Sequence, residues 1–267
     1  MTSLMTSDGL PHQVRALLEH GASLVHTTRS GANAMQHACY HGQTEVAEVL
    51  LARGAELEHQ TKQRWTALLL AASEGHEATV RMLIGRGASV EHADQDGHTS
   101  LMHACDGDHT STAKLLLEHR ACIESIDSGG CSAFHWACMR GHVSCAKLLL
   151  AHGALLELAS YDGRTPLMWA CASDQVPMVQ FLLSQGAAQR HMDCEGDTAL
   201  SIAERRGFDG TAEILRTYGT EWWRSRQLLI LASRELMMMR EFPPWAPEVR
   251  SSSEAKQTSD DDASLDA

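Results

Sequence analysis

Cys131, His135, Cys138, His142 and Cys145 follow one another at spacings of 4, 3, 4 and 3. All five are zinc-compatible ligand types. Structural zinc takes four Cys or His ligands converging at about 2.0–2.3 Å, so this stretch is the first place to look for chemistry. The chain as a whole holds 8 Cys and 16 His. Catalytic signatures are missing: there is no G-x-S-x-G, no G-x-x-x-x-G-K-[ST], no H-E-x-x-H and no C-x-x-C. Without a positioned nucleophile, acid or base, no enzymatic activity is expected, and no cofactor.

Composition narrows the classes further. Of 267 residues, 43% are apolar, so a core can be built, but aromatics are only 5%, which is lean for a β-sandwich or barrel. The net charge of −12 disfavours binding to nucleic acid through its phosphates. No apolar run approaches the roughly 18 residues needed to span a bilayer, so no membrane partner is expected. Met1 to Leu10 carries Asp8, no basic flank and no apolar stretch, unlike a secretory signal. The cysteines are therefore expected as thiols in a reducing compartment, the cytoplasm or the nucleus.

The elements that must position these residues are set by repetition. Ala38, Ala71, Ala104, Ala137, Ala170 and Ala203 lie 33 residues apart without an insertion. Leu17, Leu50, Leu83, Leu116, Leu149, Leu182 and Leu215 keep the same period. So do Gly54-Ala55, Gly87-Ala88, Gly153-Ala154 and Gly186-Ala187, with Arg120-Ala121 in the remaining slot. Each unit reads as a turn and two short helices. Asn33, Thr66, Thr99, Ser132, Thr165 and Thr198 offer a side-chain oxygen to cap the first helix. A glycine such as Gly31 or Gly97 stands two residues earlier and suits a tight turn. The first helix runs about seven residues to a glycine such as Gly75 or Gly141. The second carries Val46, Val49, Leu50 and Leu51 or their equivalents. Helices this short persist only by stacking on their neighbours.

The pattern resembles the ankyrin-repeat family, whose units are 33 residues long with a T-P-L-H-x-A signature. Thr165-Pro166-Leu167-Met168-Trp169-Ala170 is the nearest match, and Ser132-Ala133-Phe134-His135-Trp136-Ala137 keeps the His. Gly75-His76 and Gly141-His142 match the family's Gly-His pairs. The resemblance covers roughly residues 9–219. It implies an all-α solenoid of helix-turn-helix units with short turn or hairpin fingers. Residues 1–29 read as a truncated leading repeat, and 30–62, 63–95, 96–128, 129–161, 162–194 and 195–219 as six repeats. Three departures predict irregular turns: Asp108 and Asp174 in the Gly slot after the first helix, and Arg120 in the Gly-Ala step. The family's Asn after the Gly-Ala step is replaced by Glu58, Glu91, Glu124 and Glu157, which leaves hydroxylation of that Asn without an acceptor. Beyond the repeats, 220–250 is expected to form an amphipathic helix and a Pro-rich segment, with Trp222, Leu229 and Leu236 docking on the last repeat. The Ser- and Asp-rich 251–267 reads as a disordered acidic tail.

The resemblance also accounts for the zinc-like set. His135 falls at the T-P-L-H position, His142 in a Gly-His pair, and Cys138 in a column with Cys39, Ala72, Cys105 and Cys171, where a small buried side chain is wanted. No metal site is therefore expected. Trp136 and Trp169, at a position that takes Leu70 and Ile202 in two other repeats, read as core.

The family binds partners with its finger tips and the exposed face of the first helix. Carried over by register, these positions are Arg29, Tyr40, His41, Lys62, Trp65, Glu74, Asp96, His98, Met139, Arg140, Tyr161, Asp162, Arg164, Arg205 and Arg206. The register leaves Trp65 and Arg164 exposed. The implied function is a monomeric, non-enzymatic scaffold or adaptor whose partner is another protein, bound on the concave face. Two alternatives are a substrate-recognition subunit of a ubiquitin ligase, recruiting through 221–250, and a metal- or redox-responsive Cys/His protein.

Overall fold

A computed structural model describes residues 11–218. The first helix is α1 (Pro11–Glu19). Five helix pairs follow: α2 (Ala34–Tyr40) with α3 (Thr44–Ala52), α4 (Ala67–Ser73) with α5 (Glu77–Gly85), α6 (Ser100–Asp106) with α7 (Thr110–Glu118), α8 (Ala133–Arg140) with α9 (Val143–Ala151), and α10 (Pro166–Ala172) with α11 (Val176–Ser184). A last pair comprises α12 (Ala199–Arg206) and a helical stretch over 209–218. First helices pack on first helices and second on second, which makes two layers. The segment 220–250, with its expected docking helix, and the acidic tail lie outside the described residues.

The repeat columns become the core. Leu50, Leu83, Leu116, Leu149, Leu182 and Leu215 are buried, as are Ala38 and the five alanines that follow it at the same period. Alanine is needed there because each inner first helix is flanked by two others, and a larger side chain would force them apart. Cys39, Cys105, Cys138 and Cys171 are fully buried on the same layer. Burial pushes the Cys39 and Cys171 thiols up to about 12, so they stay protonated and unreactive.

Helix starts follow the capping residues. Asn33 Oδ1 accepts the Gln36 amide at 2.9 Å, and Gln36 Oε1 accepts the Asn33 amide at 3.2 Å, a complete capping box. Thr66 and Thr99 cap α4 and α6 from one side only, accepting the amides of Leu69 and Met102 at 3.4 Å.

Helix ends differ from expectation. Asp108, Asp174 and Arg120 do not make irregular turns. They take the left-handed backbone of the glycines they replace, with φ of 59°, 53° and 65° against 72° at Gly75 and 90° at Gly87. The turn bonds are retained: His109 N–H donates to Ala104 O at 2.8 Å, as His76 N–H does to Ala71 O at 2.9 Å. Arg64 supplies a fourth such residue, at φ 64° in a finger. The stacked neighbours over-determine these turns, so a non-glycine residue is held in a conformation it disfavours.

Three sets of bonds join successive repeats. Finger tips are linked through the backbone: Lys62 N–H donates to Ser30 O, Gln95 to Gln63 O, Ser128 to Asp96 O, Tyr161 to Gly129 O and Cys194 to Asp162 O, all at 2.9–3.0 Å. Histidines form the second set. His76, His109 and His142 donate through Nε2 to the carbonyls of Tyr40, Ser73 and Asp106, at 2.9–3.0 Å. His59, His92 and His191 do the same to Gly31, Arg64 and Gly163, at 2.8–3.0 Å. Many of the 16 His are thus struts between repeats. Glutamates form the third. Glu58, Glu91 and Glu157 accept the amides of Ser89, Cys122 and Ala188 in the next repeat at 2.8–2.9 Å. The longer carboxylate thus ties one repeat to the next from the position where the family keeps Asn.

The strain at Arg120 generates a test. Among the described residues no ion pair or hydrogen bond engages its exposed side chain, so Arg120→Gly removes little else. It releases about 1–2 kcal/mol of left-handed strain. It returns about 0.4–1 kcal/mol through the freer unfolded chain. The net stabilisation of about 0.5–1 kcal/mol corresponds to a melting temperature raised by about 1–4 °C. A melting temperature at or below that of the parent would show that the turn stores no such strain.

Candidate binding groove

A cleft of about 460 Å³ lies between the fingers and the first helices of neighbouring repeats. Tyr40, Trp65, Trp136 and His103 give it ring walls; Glu74, Asp106 and Arg140 give it charge. Five residues anticipated from sequence come together here: Tyr40, Trp65, Glu74, His98 and Arg140. The Trp65 ring lies 4.4 Å from His103, and Trp136 meets His98 edge-on at 5.0 Å. Arg140 pairs with Asp106 at 2.6 Å. Glu74 is exposed and has no ion-pair partner among the described residues.

The other anticipated positions spread along the stack. Arg29, Lys62, Asp96 and Asp162 are exposed on finger tips, and Tyr161 is 69% exposed. The His41 ring lies 4.4 Å from that of His37, tilted by 54°, and Met139 is half-buried. Arg205 pairs with Asp197 and, at 3.5 Å, with Glu195. Arg206 donates to Ala172 O at 2.7 Å and joins the inter-repeat struts.

Two expectations are corrected. Trp65 and Arg164 are not freely exposed. Trp65 is half-buried against His103. The Arg164 side chain is only 15% exposed, bonds Asp193 at 3.2 Å and lies 5.3 Å over the Trp169 ring. Burial alone would raise the Asp193 carboxyl, but amides of Asp197 and Glu195 and the Arg164 guanidinium outweigh it and hold the group below its ordinary range. In turn, Trp136 and Trp169 are not closed core. Both are half-buried, with their indole N–H groups donating to Asp127 Oδ2 at 2.9 Å and Ser160 Oγ at 3.2 Å.

Among the groove residues that sequence reasoning missed, His103 and Trp136 are the two that bring rings. The signal was a polar finger residue nine positions before a ring N–H: Asp94 with His103, Asp127 with Trp136, and Ser160 with Trp169. Desolvation by burial pulls the His103 imidazole below its ordinary value, against the opposing bond to Asp94.

The Cys131–Cys145 set does not converge on one point. His135 Nδ1 accepts the Ser132 amide at 3.0 Å, His142 Nε2 donates to Asp106 O, and Cys145 Sγ lies 3.2 Å from Thr110 Oγ1. Among the described residues, three potential ligand atoms do approach within 4.8 Å of one another at Asp94, His98 and His103.

Two tests follow from these bonds. Arg164→Ala should cost about 2–3 kcal/mol in denaturant unfolding. Removing one member of a buried pair costs about 3–5 kcal/mol, reduced here by the two amides that still bind Asp193. A cost within about 0.5 kcal/mol would mark Arg164 as an ordinary surface residue. The second test uses His135, whose imidazole is pulled below the ordinary value by burial, against carbonyls of Leu158 and Arg164. An imidazole with a depressed folded pKa binds fewer protons folded than unfolded, so stability falls as pH drops below about 6.5. Gln36 occupies the same slot in the first repeat and donates to the matching carbonyls of His59 and Trp65 at 2.8 Å. His135→Gln should therefore fold and lose less stability between about pH 6.5 and 5. Equal losses in urea unfolding at the two pH values would discount His135 as a contributor.

Comparison with protein families agrees with the geometry. A family model for ankyrin repeats (3 copies) matches residues 3–94 and 83–158, and one for ankyrin repeats (many copies) matches 134–183. Among curated proteins no match is found. Ankyrin repeats are in general protein–protein interaction modules and not catalysts. With the two-layer helical stack, the capped 33-residue units and matches over more than half its length, the chain belongs to the ankyrin-repeat family.

Proposed function

We propose that this chain is a non-enzymatic adaptor that holds a segment of a partner protein in the groove between Tyr40, Trp65 and Trp136. The observation that carries the reading is that these rings are not closed into the core. Tyr40 is 42% exposed, and both tryptophans are half-buried and line the same cleft. Exposed or half-exposed aromatic side chains are the type most enriched among interface anchors. The cleft sits on a framework already tied together by backbone and histidine bonds, so little ordering entropy is lost on binding. Glu74, without an ion-pair partner among the described residues, favours a partner segment that presents a basic side chain among its apolar ones.

The test is affinity capture from the native cell with the full chain and with Tyr40→Ala/Trp65→Ala as control. Loss of anchor residues costs about 2 kcal/mol or more, roughly a 30-fold drop in affinity for the captured partner. Melting curves of the two proteins confirm that both are folded. Equal capture by a folded double variant would move the binding site away from this groove.

A further inference from the structure

The finger aspartates are not neutralised alike. Asp193 has the Arg164 guanidinium at 3.2 Å. Asp94 and Asp127 are also buried, at 3% and 6% exposure, yet among the described residues no lysine or arginine reaches either. Their side-chain neighbours are imidazoles and an indole. Asp94 Oδ2 lies 3.0 Å from His103 Nε2 and 3.5 Å from His98 Nδ1. Asp127 Oδ2 lies 3.5 Å from His98 Nε2 and accepts the Trp136 indole N–H at 2.9 Å. Two buried carboxylates thus share one histidine, with no fixed cation between them.

We propose that Asp94, His98 and His103 form a three-ligand site for a divalent transition-metal cation of the zinc class, open on its fourth side to the groove. Tetrahedral zinc with bonds of about 2.0–2.1 Å sets its ligand atoms about 3.3 Å apart. The two distances at Asp94 Oδ2 bracket that edge, and all three ligand atoms lie within 4.8 Å of one another. The carboxylate is already aimed: its Oδ1 accepts the amides of Asp96 and His98 at 3.0 and 2.9 Å, leaving Oδ2 as the ligand. The outer shell is also in place. A metal-bound histidine usually donates its second N–H to a carboxylate, and His98 faces Asp127 in that role. Asp127 is held in turn by Trp136 and by the amides of Gly129 and Cys131. Trp65 packs over His103.

The trio belongs to one repeat alone. Thirty-three residues on, the slots of Asp94, His98 and His103 hold Asp127, Cys131 and Trp136; thirty-three further on they hold Ser160, Arg164 and Trp169. The site is therefore no general feature of the repeat. It also departs from the absence of metal expected from sequence, where only the cysteine-containing set was weighed. The competing source of positive charge is a proton on His98.

The experiment is Co2+ titration of the purified, chelator-treated full chain, followed by visible absorption, with Zn2+ competition. One saturable Co2+ per chain is expected, with ligand-field bands and no thiolate charge-transfer band, and Zn2+ should displace it. His98→Gln and His103→Gln should each weaken binding at least about 10-fold, and Asp127→Asn about 10–100-fold as a loss of outer-shell support. Cys138→Ser and His152→Gln should leave it unchanged, and far-UV dichroism checks that every variant is folded. Absence of saturable binding, unchanged affinity in folded His98→Gln and His103→Gln, or a thiolate band abolished by Cys138→Ser would each overturn the site.

Discussion

No helix in residues 11–218 could stand without the repeat beside it. Each first helix is seven or eight residues long, far below what is stable alone in water. What holds it is contact across the 33-residue step: alanine and cysteine against alanine on one layer, leucine against leucine on the other. That contact also explains the tolerance of Asp108, Asp174 and Arg120 in left-handed turns. A turn that both neighbours constrain does not need the residue that would choose it freely. Stability is a property of interfaces between units, and polar residues are recruited to strengthen them, as the histidine and glutamate struts show.

The groove follows from the positions this packing leaves over. One column, nine residues after each finger residue, takes His103, Trp136 and Trp169, and their ring N–H groups tie each first helix to its own finger. The bonds fix the rings at the boundary between core and surface. A side chain there contributes to the fold with one edge and faces the cleft with another. The same half-buried setting holds His98 between two carboxylates. Framework and candidate site therefore share atoms, so substitutions in the cleft must be read together with a stability measurement.

The architecture was legible because its signal is periodic. Caps, turn glycines, alanines and leucines recur at one spacing, and each occurrence supports the others. Individual roles were less legible where a residue departs from the column. Arg164 reads as surface by register, yet it is drawn down to Asp193 because that buried carboxylate needs a cation. Trp136 reads as core by its apolar bulk, yet its indole N–H pulls it toward the Asp127 finger. His103 was invisible because one histidine among 16 carries no weight until its distance to Asp94 is known. In each case the deciding term is a polar bond between residues 9 or 29 positions apart, which hydrophobic periodicity does not encode.

The finger tips are joined to one another by a series of main-chain bonds. Amide and carbonyl groups are common to nearly every residue type, so the spacing of the tips is independent of which side chains they carry. Arg29, Lys62, Asp96 and Ser128 can be exchanged without altering the scaffold that displays them. Inserting or deleting a single residue in a finger is another matter, since it would shift every later amide off its acceptor. A lineage under pressure to recognise something new is thus free to rewrite these tips letter by letter, but not to change their length.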